Sequence, residues 1–190
     1  MPNTVKKLPE RAIAVAYDEF AAAGDISMRN IGSTLAVTAA ALYHHFESKQ
    51  ALLDAVAERA FGVFDKRLRA VDTHDPLRTI RGILGEYRRF AIENPHLFAL
   101  MFVHPRTTAR RFPRDFASHR SAVFNLLWRA VDDLMPDAAD GTPTDSLFAA
   151  HDLWALAHGQ IVLWRAGRFE NDRTFEDVFD RSIARFVATL

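Results

Sequence analysis

The chain has 190 residues, 49% of them hydrophobic, with 24 basic side chains balanced by 24 acidic ones and no cysteine. That is ordinary globular composition, long enough to bury a core. It excludes intrinsic disorder, collagen-like structure, disulfide staples, thiolate metal sites and a cysteine nucleophile. No window approaches a membrane-spanning apolar run, and the N-terminal MPNTVKKLPERA lacks a signal-peptide core, so a soluble cytoplasmic protein with no membrane partner is expected.

Taken in chain order, the pattern is helical throughout, without strand alternation or repeats, and predicts an all-α fold of nine helices. Pro9 to Ala23 forms an amphipathic helix with Ile13, Ala16, Tyr17 and Phe20 on one stripe and Gly24 as its stop. Ser27 and Thr38 are good N-caps because their hydroxyls accept from unpaired first-turn amides. Each follows an apolar residue placed to staple against one a turn inside, Ile26 with Ile31 and Val37 with Leu42. Two short helices joined by a tight turn follow, with Ile31, Leu35, Leu42 and Phe46 turned inward and Ala39, Ala40, Tyr43 and His44 outward. That is the spacing of a helix-turn-helix DNA reader.

Ser48 caps a fourth helix, opened by Lys49 and Gln50 and running to about Val71, where helix end and lysine together suit a phosphate. By leaving the reader and entering the rest of the protein, this helix can transmit movement. Asp75 with Pro76 starts a helix ending near Glu93, and Pro95 to Val103 is a short apolar one. The stretch 106–114, with Arg106, Arg110, Arg111 and Arg114, is expected to be an exposed loop or a frayed turn, whose arginines could guide an anion or simply be solvated. A seventh helix spans roughly Asp115 to Leu134. The eighth starts at Thr142, Pro143 and Asp145 and ends near Gly167, and Thr174 with Asp177 opens the last. The eighth is apolar nearly all round, as a helix with neighbours on most sides must be. With Phe175, Val178, Phe179, Ile183, Phe186 and Leu190 of the last helix, it could form a four-helix homodimer interface, Gly159 allowing close approach. A monomer with a well-covered central helix is the alternative.

From Ala16 to Leu53 the chain resembles the tetracycline-repressor (TetR) family of bacterial transcription regulators, through Phe20, Gly24, Ile31, Val37 with Thr38, Leu42, Tyr43, His45, Phe46 and Lys49. Two positions depart from the family pattern: Ala36 stands at a turn position usually held by glycine, and Gly32 where alanine is usual. An alanine forced to positive φ there costs roughly 1 kcal/mol, which Gly32 can relieve by letting the helices come closer. The second half resembles the WHG-type ligand-binding domain behind some of these readers, through Asn94-Pro95, Leu97 to Phe102 and Trp154 to Gly159, with Ala157 where the motif's tryptophan would be. The resemblance implies a TetR-like fold with a DNA-binding domain at 1–50 and a ligand-binding and dimerisation domain at 51–190.

On the same basis Thr38, Tyr43, His45 and Lys49 are expected to contact phosphates, which fix register without reading sequence. Base reading falls to Ala39 and Ala40 against thymine methyls, His44 as donor or acceptor, and Arg29 bidentate to guanine. His45 can instead pack and cap, and Arg29 can simply be solvated. Residues 1 to 50 carry no surplus charge, Lys6, Lys7, Arg11, Arg29 and Lys49 meeting Glu10, Asp18, Glu19, Asp25 and Glu47, so nonspecific DNA affinity should be modest.

A small apolar effector is expected between helices of the larger domain, contacted by Phe98, Trp128, Trp154 and His158. Further candidates, Phe61, Phe64, Tyr87, Phe90, Phe102, Phe124 and His151, serve equally well as plain core. No metal or cofactor is expected; His151 and His158 stand two helical turns apart, too far to share a metal by themselves. No nucleophile elbow, phosphate loop or zinc pair is present, so a non-enzymatic, ligand-responsive regulator, most simply a repressor, binding a palindromic DNA operator as a homodimer is the expected function. A ligand-independent DNA-binding protein, and a small-molecule carrier or enzyme with a vestigial reader, are the alternatives.

Overall fold

The computed structural model describes residues 7–71, 74–106, 108–135 and 144–190. Among these it contains ten helices and no strand: α1 (Leu8–Ala23), α2 (Met28–Leu35), α3 (Ala39–Tyr43), α4 (Lys49–Arg69), α5 (Pro76–Glu93), α6 (Pro95–Phe102), α7 (Arg114–Ala117), α8 (Ala122–Asp132), α9 (Thr144–Arg165) and α10 (Asp172–Val187). The chain divides into two compact units. One holds the residues up to Phe64 together with Ile92–Ala109, the other Asp65–Ala91 together with Arg110–Leu190.

In the first unit, α1 buries Ala12, Ala16 and Phe20, while Ile13 and Tyr17 are half-buried, so its stripe is rotated slightly from the predicted one. Gly24 ends the helix at φ 74, its amide donating to the Phe20 carbonyl at 2.8 Å. The glycine is required twice over, because a Cβ there would lie 2.6 Å from Nδ1 of His96 on α6. Ile31, Leu42, Leu52, Phe64, Leu97 and Phe98 are fully buried in this core, with Phe102 edge-on to Phe61 and tilted against Phe98.

The turn between α2 and α3 closes with the Ala36 amide donating to Ser33 O at 3.1 Å and the Val37 amide to Gly32 O at 2.9 Å, a helix-ending pattern that places Ala36 at φ 57, ψ 41. The departure at Ala36 is thus a real left-handed alanine. Gly32 matches it: a Cβ there would fall 2.8 Å from the Val37 carbonyl oxygen. Ala36→Gly should relieve roughly 1–2 kcal/mol of left-handed strain, offset by about 0.4–1 kcal/mol of unfolded-chain entropy, for a small net gain. Gly32→Ala should do the reverse. Urea denaturation of both variants checks the opposite signs.

In the second unit, α9 packs against both α8 and α10. Its core holds Ile80, Leu84 and Phe90 of α5, Leu127 and Val131 of α8, Leu153, Ala157 and Ile161 of α9, and Phe175, Phe179 and Ile183 of α10. The predicted seventh helix is divided into α7 and α8. The His119 amide bonds Phe116 O at 2.9 Å and the Arg120 amide bonds Asp115 O at 3.1 Å, with His119 at φ 56, so the chain turns left-handed without a glycine. The last helix begins earlier than Thr174: Asn171 caps it, accepting from the Thr174 amide at 2.9 Å. The expected cap at Thr142 and Pro143 lies outside the described residues.

The arginine-rich loop also departs from expectation. Arg106, in the first unit, has a side chain only 3% exposed, bonded to Glu58 and Thr108 at 2.8 Å and lying over the Phe61 ring. Arg114 opens α7 and pairs with Asp115, which also accepts from Arg120 and from the Arg111 amide. The Arg114 bond, then the Arg111 amide, hold the Asp115 carboxyl down at about 2. Because its folded value lies below the unfolded one, its contribution to stability is present above about pH 4 and lost as pH falls towards 2. Melting curves of the wild type and Asp115→Asn should therefore differ at neutral pH and converge across that window.

Candidate nucleic-acid interface and effector region

The reader is built from capped short helices. Ser27 Oγ accepts from the Asn30 amide at 3.3 Å and Thr38 Oγ1 from the Ala41 amide at 3.2 Å, which leaves each hydroxyl hydrogen free to donate outward. Glu19 of α1, half-buried, accepts from the Ser27 amide at 2.8 Å and so ties α1 to the start of α2.

With Leu42 fully buried as the anchor of α3, Ala40, Tyr43, His44 and His45 are exposed, Tyr43 by 49%, and Ala39 is half-buried. The two imidazoles meet edge-on at 5.6 Å. Arg29 is exposed in the first turn of α2, and Thr38 is exposed at the start of α3. The structure therefore gathers seven of the eight predicted contacts, Arg29, Thr38, Ala39, Ala40, Tyr43, His44 and His45, on one capped helix pair and the two residues that follow it. Lys49, at the first residue of α4, is not free: its ammonium lies 2.6 Å from the Asp25 carboxylate, a partner that sequence reasoning missed.

The four predicted effector contacts fall in different settings. Phe98 is fully buried in the first unit. In the second, Trp128 donates its indole N–H to Ser146 at 3.0 Å, Ser146 donates to Asp132 at 2.6 Å, and His119 stacks on the Trp128 ring. Trp154 and His158 come together, 6.0 Å apart, with Tyr87 of α5. The Tyr87 hydroxyl lies 2.8 Å from His158 Nδ1 and also bonds Trp154. An indole N–H can only donate, so the phenol oxygen accepts from Trp154, and with the His158 proton on Nε2 its own hydrogen donates to Nδ1. Burial pushes the Tyr87 phenol upward and the His158 imidazole downward, keeping both neutral. Phe116 and Phe124 each lie 6.3 Å from Trp154, and Phe112 lies tilted against His151 at 3.9 Å. Phe112 and Phe116 were not singled out for the site, since nothing in their local spacing points to it. A separate groove of about 410 Å³ between α5 and α10 is lined by Arg81, Leu84, Gly85, Arg88, Phe179 and Ile183, and by none of the four.

Capped α2 and α3 presenting exposed polar side chains over a small buried core define a helix-turn-helix DNA-binding protein. Residues 12–56 match the family model for bacterial regulatory proteins of the tetR family, and residues 80–190 match that of the tetracyclin repressor-like C-terminal domain. The chain belongs to the tetR family of transcriptional regulators, and its N-terminal domain binds DNA.

Among solved structures, a protein of unknown function from Rhodococcus sp. RHA1 is similar with a TM-score of 0.75 at 25% identity, covering 100% of this chain and 98% of that one. A single-substitution variant of TetR from Acinetobacter baumannii AYE, in complex with minocycline, shares the fold with a TM-score of 0.67 at 19% identity, covering 97% and 96%. FadR from Bacillus subtilis, in complex with stearoyl-CoA, does so with a TM-score of 0.67 at 11% identity, covering 95% and 98%. No curated protein sequence matches. No helix among the described residues is long and apolar enough to cross a membrane.

Proposed function

We propose that this protein is a cytoplasmic, ligand-responsive repressor that binds a palindromic operator as a homodimer and is released by a small, largely apolar effector. Residues 1–50 would hold the reader and 51–190 the effector and dimer surfaces. The observation that carries the reading is the reader itself: Arg29, Thr38, Ala40, Tyr43, His44 and His45 all exposed around a buried Leu42. Thr38, Tyr43, His45 and Lys49 anchor phosphates, and Arg29, His44, Ala39 and Ala40 meet bases.

Because one short recognition helix offers little hydrogen bonding, two-fold symmetry and DNA shape supply the rest of the specificity. Apolar side chains left in solvent support the dimer: Leu163 of α9 is 50% exposed and Val178 of α10 is 38% exposed. The neutral Trp154–Tyr87–His158 chain among aromatic rings supports an apolar effector with one hydrogen-bonding group, Trp128 and Phe98 being further candidate contacts. Relatives solved with minocycline and with stearoyl-CoA support effector binding by this fold. Such an effector acts by binding more tightly to the DNA-free spacing of the two readers than to the bound one. The test is release: small molecules are screened for displacement of the protein from DNA flanking its own coding region. A complex that no apolar compound dissociates or stabilises against melting would contradict the effector half of the proposal.

A further inference from the structure

Asp25 follows the left-handed Gly24 that ends α1, and its carboxylate holds the Lys49 ammonium at 2.6 Å. Lys49 opens α4, whose first turn is capped by Ser48 accepting from the Ala51 amide at 3.0 Å. The lysine expected to anchor a DNA phosphate is therefore already facing an anion. The Lys49 bond, then the Ile26 amide, hold the Asp25 carboxyl below its ordinary range, so it is ionised at neutral pH. Both side chains reach solvent, 41% and 72% exposed, so the pair can open without unpacking any core. We infer that Asp25 is an internal competitor for the DNA phosphate at Lys49 and thereby sets the affinity and salt sensitivity of DNA binding. This rests on the DNA-contact role of Lys49 proposed above.

The physics is an exchange of partners. Moving Lys49 from Asp25 to a phosphate swaps one ion pair for another, and the freed carboxylate then faces the polyanion and gathers cations. The counterions released at the phosphate are partly taken up again at Asp25, and the net release is small. Removing the Asp25 charge removes both penalties.

The experiment measures binding of a short random-sequence duplex by fluorescence anisotropy at several salt concentrations, for the wild type, Asp25→Asn, Lys49→Ala and the double variant, with melting curves to confirm folding. Asp25→Asn should bind about three- to tenfold more tightly at low salt, the range expected for exposed ion pairs in two protomers. Its plot of log affinity against log salt should steepen by about 0.9 per protomer. In the Lys49→Ala background the same substitution should tighten binding clearly less, by relief of the repulsion between the carboxylate and the polyanion alone. Weaker binding by Asp25→Asn would show that Asp25 positions Lys49 for phosphate, and unchanged binding that it does not compete; either overturns the inference. Equal tightening without Lys49 would reduce the effect to net charge and overturn it too. A folded wild type that binds no duplex at low salt would remove the DNA-contact reading itself, a result distinguishable from both.

Discussion

Arg67→Met is expected to destabilise the protein by about 3 kcal/mol, the low end of what removing one partner of a buried ion pair costs. Glu86, on the inner face of α5, is only 4% exposed and accepts from the Arg67 guanidinium Nε and from Arg89 Nη1 at 2.6 Å. The Arg67 guanidinium also lies over the Phe90 ring, 5.6 Å from its centroid. Without it, the carboxylate stays out of water facing only Arg89, whose side chain is 62% exposed and screened accordingly. The remaining partner is why the expected loss is not larger. Replacing both residues, Arg67→Met with Glu86→Met, removes the stranded charge and should return most of the stability. Urea denaturation of the two single variants and the double one reads the coupling directly. A loss under about 1 kcal/mol for Arg67→Met would show that Glu86 does not depend on that guanidinium.

Arg29→Ala should relax base preference at one position in each half-site by roughly 1–3 kcal/mol, the discrimination of a bidentate guanidinium–guanine contact. Lys49→Ala should instead weaken every sequence alike, because a phosphate contact carries no sequence information, and flatten the salt slope only slightly while Asp25 is present. The geometry makes the two comparable: both lie in the first unit, Arg29 exposed in the first turn of α2 and Lys49 at the start of α4. The Asp25 pair tempers the Lys49 loss, since the lysine gives up one anion to gain another. Titrations on matched and base-substituted operators at several salt concentrations separate the two behaviours. Equal losses on every sequence for both variants would sink the distinction.

What could be read from sequence was local. Ser27, Thr38, Ser48 and Asp75 were legible as caps because a hydroxyl or carboxylate needs only the amide three residues on. The helix-turn-helix followed from those caps and from helical spacing of Ile31, Leu35, Leu42 and Phe46. The division of the seventh helix was not legible, because the stop is a left-handed histidine where sequence rules look for glycine or asparagine. Asn171 was a visible cap passed over for the later Thr174, itself bonded to it.

Pairings across the chain were beyond reach. The charges of Asp25 and Lys49 were plain, but their contact was not. Tyr87 and His158 lie 71 residues apart and meet only through the packing of α5 against α9. Arg106, expected in solvent, has a buried side chain because Asp54 and Glu58, distant in sequence on α4, meet its guanidinium in the loop after α6.

The most direct test of the central claim is a footprint of the purified chain on DNA flanking its own coding region, with binding stoichiometry measured on the same fragment. The proposal predicts two protected half-sites related by two-fold symmetry, an even number of protomers per site, and log affinity falling linearly with log salt. A folded protein that leaves the fragment unprotected at low salt, or that protects it without symmetry as one protomer, would contradict it.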